Sequence, residues 1–67
     1  MKTYLPHQQR VLDEHRDLAE KLQKLVEFVK LSAKFDELDP IDQKLLEDQY
    51  EPMYDYLSIL ERRIARF

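Results

Sequence analysis

The 67-residue chain contains no cysteine and no glycine, and each absence excludes a class of structure. Without cysteine there are no disulfides and no thiolate metal sites, which fits a reducing compartment. Without glycine, tight β-hairpins, phosphate-cradling loops and left-handed helix caps are all unfavourable. These absences favour long helices joined by a short connection.

Long apolar runs are missing as well. The mean hydropathy is -0.68 and 37% of the residues are charged, so no segment approaches the ~20 apolar residues of a membrane span. The first residues also lack the apolar segment of a signal peptide. We therefore expect a soluble, cytoplasmic protein with no membrane partner. Because one core is marginal at this length, self-association is the expected supplement.

The net charge of -3 is unevenly distributed. Residues 34–55 contain eight acidic and two basic residues, a net charge of -6, whereas residues 56–67 carry +2. If the two ends of the chain meet, one pole of the molecule is basic and the other acidic. The acidic middle argues against binding to duplex nucleic acid.

Apolar residues at alternating spacings of four and three predict a first helix over about residues 6–31. Pro6 suits its first turn, and Thr3 is a candidate N-cap. The predicted connection spans 32–39, with Phe35 and Leu38 folding back over the hairpin end. The first-helix stripe is Val11, His15, Leu18, Leu22, Leu25 and Val29, flanked by Leu12, Ala19 and Val26.

A second stripe predicts a helix over about residues 40–66, opened by Asp39 as N-cap and Pro40 at the first helical position. Pro52 cannot donate to the carbonyl of Asp48, so a kink is expected between those two residues. The kink either lets the helix wrap around its partner or re-aims tyrosines toward a pocket. The stripe is Leu46, Tyr50, Met53, Leu57, Leu60, Ile64 and Phe67.

The fold class predicted is all-α: a single domain over 1–67, built as an antiparallel helical hairpin whose second helix is kinked at Pro52. Tyr54, Tyr56 and Ile59 make the apolar surface of the second helix wider than one partner helix can cover. We expect these three residues to form an oligomer interface, giving a dimer or tetramer packed as a helical bundle.

An antiparallel hairpin collects cations at the pole where the termini meet. Arginine offers planar, bidentate donors to phosphate or carboxylate, so several arginines from different protomers would form an anion site. Alternatively, the cations complement helix dipoles and pair with nearby carboxylates. Tyr54 or Tyr56 could stack on a base or simply pack in an interface. The basic pole comprises Lys2, His7, Arg10, Arg16, Arg62, Arg63 and Arg66.

Catalytic and metal-binding patterns are weak. His7 and His15 are eight residues apart, too far for a one-turn metal pair, and no matching cluster occurs elsewhere. Neither Ser32 nor Ser58 has a histidine at helical spacing. We expect a binding or assembly protein, not an enzyme, with no metal and no cofactor.

The residue pattern resembles a family of very small proteins from tailed phages and prophages, including crAss-like phages. The shared outline runs from Q-R-V-x-x-E through K-L-x-x-F and F-x-x-L to Q-x-x-x-M-x-x-Y-x-x-I-L-x-x-R-I. Here it is carried by Gln9, Arg10, Val11, Glu14, Lys24, Leu25, Phe28, Phe35, Leu38, Gln49, Met53, Tyr56, Ile59, Leu60, Arg63 and Ile64.

In size and helical character the chain also looks like the phage sponge family called Sequestin. Sponges are homo-oligomers that bind cyclic dinucleotides or cyclic ADP-ribose isomers made by the bacterial CBASS and Thoeris defences, and thereby silence them. The resemblance implies an anti-defence protein that sequesters such a signal in inter-subunit pockets in the infected host's cytoplasm. The expected ligand residues are His7, Arg10, Tyr54, Tyr56, Arg63 and Arg66. The alternatives are a helical interaction module that docks on a host or phage protein, and a ligand-free structural accessory protein.

Overall fold

The computed structural model describes residues 3–67, and all its regular structure is helical. Lys2 of the predicted basic pole lies outside the described residues. The helices are α1 (Pro6–Leu31), α2 (Ala33–Asp36), α3 (Pro40–Asp48) and α4 (Tyr50–Ile64). The prediction of an all-α chain with a long first helix and a bent second helix is confirmed.

Helix α1 begins differently from the prediction. Leu5, not Thr3, is the N-cap residue, and its side chain makes no capping hydrogen bond. Instead, the side chain of Gln8 reaches back, and its Oε1 accepts a hydrogen bond from the Leu5 backbone N–H at 2.9 Å. Pro6 occupies the first helical position, where a missing N–H costs nothing. The Thr3 assignment was therefore wrong.

The connection between the long helices is ordered by packing and hydrogen bonds. Phe35, in the single turn of α2, is buried and meets the ring of Phe28 edge-on at 6.1 Å between centroids. The side-chain amide of Gln43 donates to the Phe35 carbonyl at 2.8 Å. This contact ties α3 to the connection and fixes where the chain turns back.

The second long helix is divided at Gln49 into α3 and α4. Pro52 has no N–H for the Asp48 carbonyl, so the regular bonding pattern fails one turn before the proline. The N–H of Gln49 is shared between the carbonyls of Leu45 and Leu46, at 3.2 Å each. The bend therefore lies within the predicted segment, and the backbone of Gln49 stays right-handed helical, with φ -73° and ψ -21°.

Helices α1 and α4 pack antiparallel around a small core. Leu60 is completely inaccessible to solvent, and the other buried apolar residues are Val11, Leu22, Leu25 and Phe35. The rings of Tyr4 and Phe67 meet edge-on at 6.2 Å, so the two ends of the chain lie together. The molecule is long and thin, 47 × 18 × 14 Å. Its self-association remains a prediction.

Candidate functional site

Three arginines cluster at the carboxyl end of α4. Arg62 and Arg63 lie in its last turn, where they complement the helix dipole, and Arg66 follows the helix. Together with Ile59 and Ala65 they line an open concavity of about 490 Å³. Within residues 3–67, none of the three forms an ion pair. Their guanidinium donors therefore remain available to an anion.

Two carboxylates near this pole contact other residues. Glu61 contacts His15 across the α1–α4 interface, with Oε1 and Nε2 3.2 Å apart. Asp13 pairs with Arg16 at 3.3 Å on the surface of α1. Because the partly buried His15 contacts Glu61, this carboxylate is not paired with the arginines of α4. Within the described part of the basic pole, Arg16 thus pairs with nearby carboxylates as the alternative expects, whereas Arg62, Arg63 and Arg66 form no ion pair there.

A second concavity, of about 390 Å³, runs along the groove between α1 and α4. It contains two of the predicted ligand residues, Arg10 and Tyr56, and in the described chain Arg10 forms no ion pair. Arg10 and Lys21 lie toward the two ends of the groove with three carboxylates between them, which suits a ligand carrying both hydrogen-bond donors and negative charge. The lining residues are Arg10, Asp13, Glu14, Asp17, Leu18, Lys21 and Tyr56.

Within one chain the predicted ligand residues do not converge. Arg63 and Arg66 line the arginine concavity, and the groove holds Arg10 and Tyr56. His7 is exposed near the start of α1 and lines neither concavity. Tyr54 is also exposed. A pocket containing all six residues would need more than one chain, so the ligand assignment stays a prediction.

The predicted interface residues also divide. At about 100° per helical residue, Ile59 lies about 60° from Tyr56 but about 140° from Tyr54 around α4. All three are exposed. Tyr56 and Ile59 can therefore share one flat contact surface, whereas Tyr54 belongs to the opposite flank.

Comparison with known proteins identifies the family. The Sequestin family model matches residues 5–66. The chain belongs to the Sequestin family. It is also 40% identical over 63 residues to an uncharacterized 7.5 kDa protein encoded in the denB–rIIB intergenic region of Enterobacteria phage T4. That match covers 94% of this chain and 97% of the phage protein. No solved structure matches the chain.

Membership of the Sequestin family implies, at the level of the family, a phage anti-defence role in which a nucleotide is sequestered. The described residues add two negative findings. None of their helices is long and apolar enough to cross a bilayer. Nor do residues 3–67 contain a group of three or more histidines and carboxylates arranged to hold a metal ion.

A third concavity of this Sequestin family member is acidic. It has a volume of about 510 Å³ and lies beside the bend, lined by Glu47, Asp48, Tyr50, Glu51, Pro52 and Asp55. The hydroxyl of Tyr50 is buried and finds no hydrogen-bond partner among residues 3–67. Burial raises the pKa of Tyr50, and the charge of Glu47 and the neighbouring Tyr54 add to the shift. Four carboxylates make this a poor site for an anion.

Two features of the site were missed by sequence reasoning. Arg62 shares the concavity with Arg63 and Arg66 but was not among the predicted ligand residues. The other charged residues of the groove were also missed, although Asp17 and Lys21 follow Arg10 at helical spacing and could have been found from it. Their position beside Tyr56 depends on the register between α1 and α4, which spacing within one helix does not give.

Proposed function

We propose that this chain is a phage anti-defence protein that sequesters a small anionic nucleotide signal in the cytoplasm of the infected bacterium. The signal is a cyclic ADP-ribose isomer or a cyclic dinucleotide, bound in pockets between the subunits of a homo-oligomer. The protein binds this signal without catalysing a reaction and needs no cofactor.

The observation that carries this proposal is the set of unpaired arginines on an otherwise acidic chain. A guanidinium group binds phosphate through two parallel, charge-assisted hydrogen bonds. In the proposal Arg63 and Arg66 hold phosphates together with Arg10, and His7 assists. Tyr56 or Tyr54 stacks on a base; the position of Tyr56 beside Arg10 favours the former.

Isothermal titration calorimetry with cyclic ADP-ribose isomers and cyclic dinucleotides tests the proposal. At least one of these ligands should bind, and Arg63→Glu or Arg66→Glu should weaken binding by about tenfold or more, because a hydrogen bond to a charged group contributes about 1.5–3 kcal/mol. Lys24→Glu is the matched control, since it makes the same charge change on the exposed outer face of α1.

Two results would refute the proposal. One is the absence of heat with every nucleotide; the other is an equal loss of affinity in the Lys24 variant, which would indicate a net-charge effect. Arg10→Glu and Tyr56→Leu then test the groove separately from the arginine concavity. Circular dichroism of each variant excludes unfolding as the cause.

The exposure of Tyr56 and Ile59 favours a second candidate, a module that docks on a host or phage protein. In that case Ile59→Ser would abolish evasion of host defence in a phage plating assay, whereas Arg10→Glu and Arg63→Glu would not. If none of these variants changed plating, the remaining candidate would be a structural accessory protein without a ligand.

A further inference from the structure

Four charged residues of α1 line the groove without neutralising one another. Arg10, Glu14, Asp17 and Lys21 follow one another at spacings of four, three and four, so at about 100° per residue they lie within about 60° on one side of the helix. Arg10 with Glu14, and Asp17 with Lys21, have the spacing at which opposite charges pair along a helix. Neither pair forms in the described chain, where only Asp17 of the four has an ion-pair partner, Arg16 at 3.5 Å.

The position of Tyr56 along these charges follows from the contact between α1 and α4. His15 and Glu61 lie opposite each other, with Nε2 and Oε1 3.2 Å apart. Both helices rise about 1.5 Å per residue and run antiparallel, so Tyr56, five residues before Glu61, lies level with the turn of α1 formed by residues 17–21. Tyr56 therefore shares this end of the groove with Asp17 and Lys21.

This end of the groove combines the surfaces that a nucleobase requires. The Tyr56 side chain is 44% accessible and offers a ring on which a base can stack. Leu18 is partly buried and adds an apolar contact. The carboxylate of Asp17 accepts hydrogen bonds, and the ammonium group of Lys21, one turn away, donates them. An acceptor beside a donor matches a base edge that presents a donor beside an acceptor.

The carboxylates limit which part of an anionic ligand the groove can hold. Asp13, Glu14 and Asp17 place three negative charges between two cations, and like charges disfavour a phosphate beside them. Groups that donate hydrogen bonds are favoured instead, because a hydrogen bond to a charged acceptor is stronger than a neutral one. An exocyclic amino group is such a donor. Adenine, guanine and cytosine carry one, and uracil does not.

We propose that Asp17, Leu18, Lys21 and Tyr56 form a subsite, built from one chain, that selects a nucleotide whose base has an exocyclic amino group. The base stacks on Tyr56, Asp17 accepts a hydrogen bond from the amino group, and Lys21 donates one to an acceptor on the base. Arg10 lies about 10 Å from Asp17 along the helix axis and holds a phosphate of the same ligand. This inference rests on the proposed function and names the class of base that it recognises.

Removing the Asp17 carboxylate tests the subsite, because two explanations predict opposite signs. If the groove bound the ligand through net charge alone, Asp17→Ala would strengthen the binding of an anion. If Asp17 accepts a hydrogen bond from the base, Asp17→Ala should weaken binding about tenfold or more. Calorimetry with cyclic ADP-ribose, cyclic di-AMP, cyclic di-GMP and cyclic di-UMP provides the measurement. Unchanged or tighter binding by the Asp17 variant would overturn the subsite.

Two matched controls lie on the same helix. Glu20→Ala makes the same charge change as Asp17→Ala, at an exposed position that does not line the groove. Lys24→Gln is the corresponding control for Lys21→Gln, which should also weaken binding about tenfold or more. Both controls should leave the dissociation constant within about twofold of the unmodified protein, as expected for exposed charges. An equal loss in the controls would also overturn the subsite.

The base of the ligand tests the selectivity. Cyclic di-UMP should bind about tenfold or more weakly than the tightest probe that contains adenine or guanine, because its bases offer Asp17 no amino group. Equal or tighter binding of cyclic di-UMP would contradict the selectivity.

These measurements separate the subsite from the proposed function. If the unmodified protein binds none of the nucleotides, both are refuted. If it binds one of them and the Asp17 and Lys21 variants bind it equally well, only the subsite is refuted. Circular dichroism of each variant excludes unfolding as the cause of a loss.

Discussion

At the scale of single residues, the chain retains two kinds of unsatisfied polar group. The arginines that follow Ile59 lack carboxylate partners within the described residues but remain in contact with water. The hydroxyl of Tyr50, by contrast, is buried without a hydrogen-bond partner there. The water-exposed arginines reduce the free energy of unfolding little and are suited to binding. The buried hydroxyl reduces stability, because an unsatisfied buried hydroxyl costs about 1–3 kcal/mol of folding free energy.

Tyr50→Phe should therefore stabilise the protein at pH 7, by about 1 kcal/mol in urea-induced unfolding. Above about pH 10 the difference should widen. The pKa of Tyr50 is raised in the folded state, so the stability linked to its proton is present below the unfolded-state pKa and is lost as the pH rises through the folded-state pKa.

Tyr54→Phe is the control for this substitution, because Tyr54 is exposed and its loss should change stability by no more than about 0.5 kcal/mol. A destabilised Tyr50→Phe protein at pH 7 would show that the hydroxyl does have a partner in solution.

At the scale of helices, Asp39 determines where α3 begins. Its Oδ1 accepts a hydrogen bond from the Ile41 backbone N–H at 2.8 Å, at the start of α3. Asp39→Ala should cost about 1 kcal/mol of unfolding free energy, whereas Asp39→Asn should cost only a few tenths, because asparagine caps equally well. Chemical denaturation of both variants provides the measurement.

Asp36→Ala is the appropriate comparison for the cap prediction, since it removes a nearby exposed carboxylate without removing a cap. If it destabilised the protein as much as Asp39→Ala, the effect would be one of charge rather than of the hydrogen bond.

The helices were predictable because their signals are local. The Asp39–Pro40 start and the bend before Pro52 follow from backbone chemistry that neighbouring residues determine. The start of α1 near residue 6 was predicted, but its cap was not, because the Gln8 side chain reaches back from within the helix to the Leu5 backbone N–H. The pairing of His15 with Glu61 depends on the register between two helices, which spacing along one helix does not specify.

The candidate site was less predictable than the fold, because it too depends on the register between α1 and α4. Sequence reasoning placed the arginines at one pole, and the meeting of Tyr4 with Phe67 agrees with that placement. It could not show that Arg10 and Arg63 line different concavities of one chain.

At the scale of the whole molecule, the homo-oligomer of the proposed function, taken as a dimer, makes thermal stability depend on protein concentration. Only the folded chains associate, so mass action stabilises the dimer by about 1.4 kcal/mol for each tenfold increase in concentration. With the usual unfolding entropy per residue, this corresponds to a rise in Tm of about 5 °C per decade for a dimer of this size. Circular dichroism melts over about a 100-fold concentration range would measure it.

The Ile59→Glu protein supplies the decisive comparison for this dependence. As a monomer it should melt at a lower temperature that does not change with concentration, because its small core, centred on Leu60, must then stabilise the fold alone. A Tm of the unmodified protein that stayed constant over the same range would show that this core is sufficient. Tyr56 and Ile59 would then be free for a partner other than a second copy, which is the arrangement that the interaction-module alternative requires.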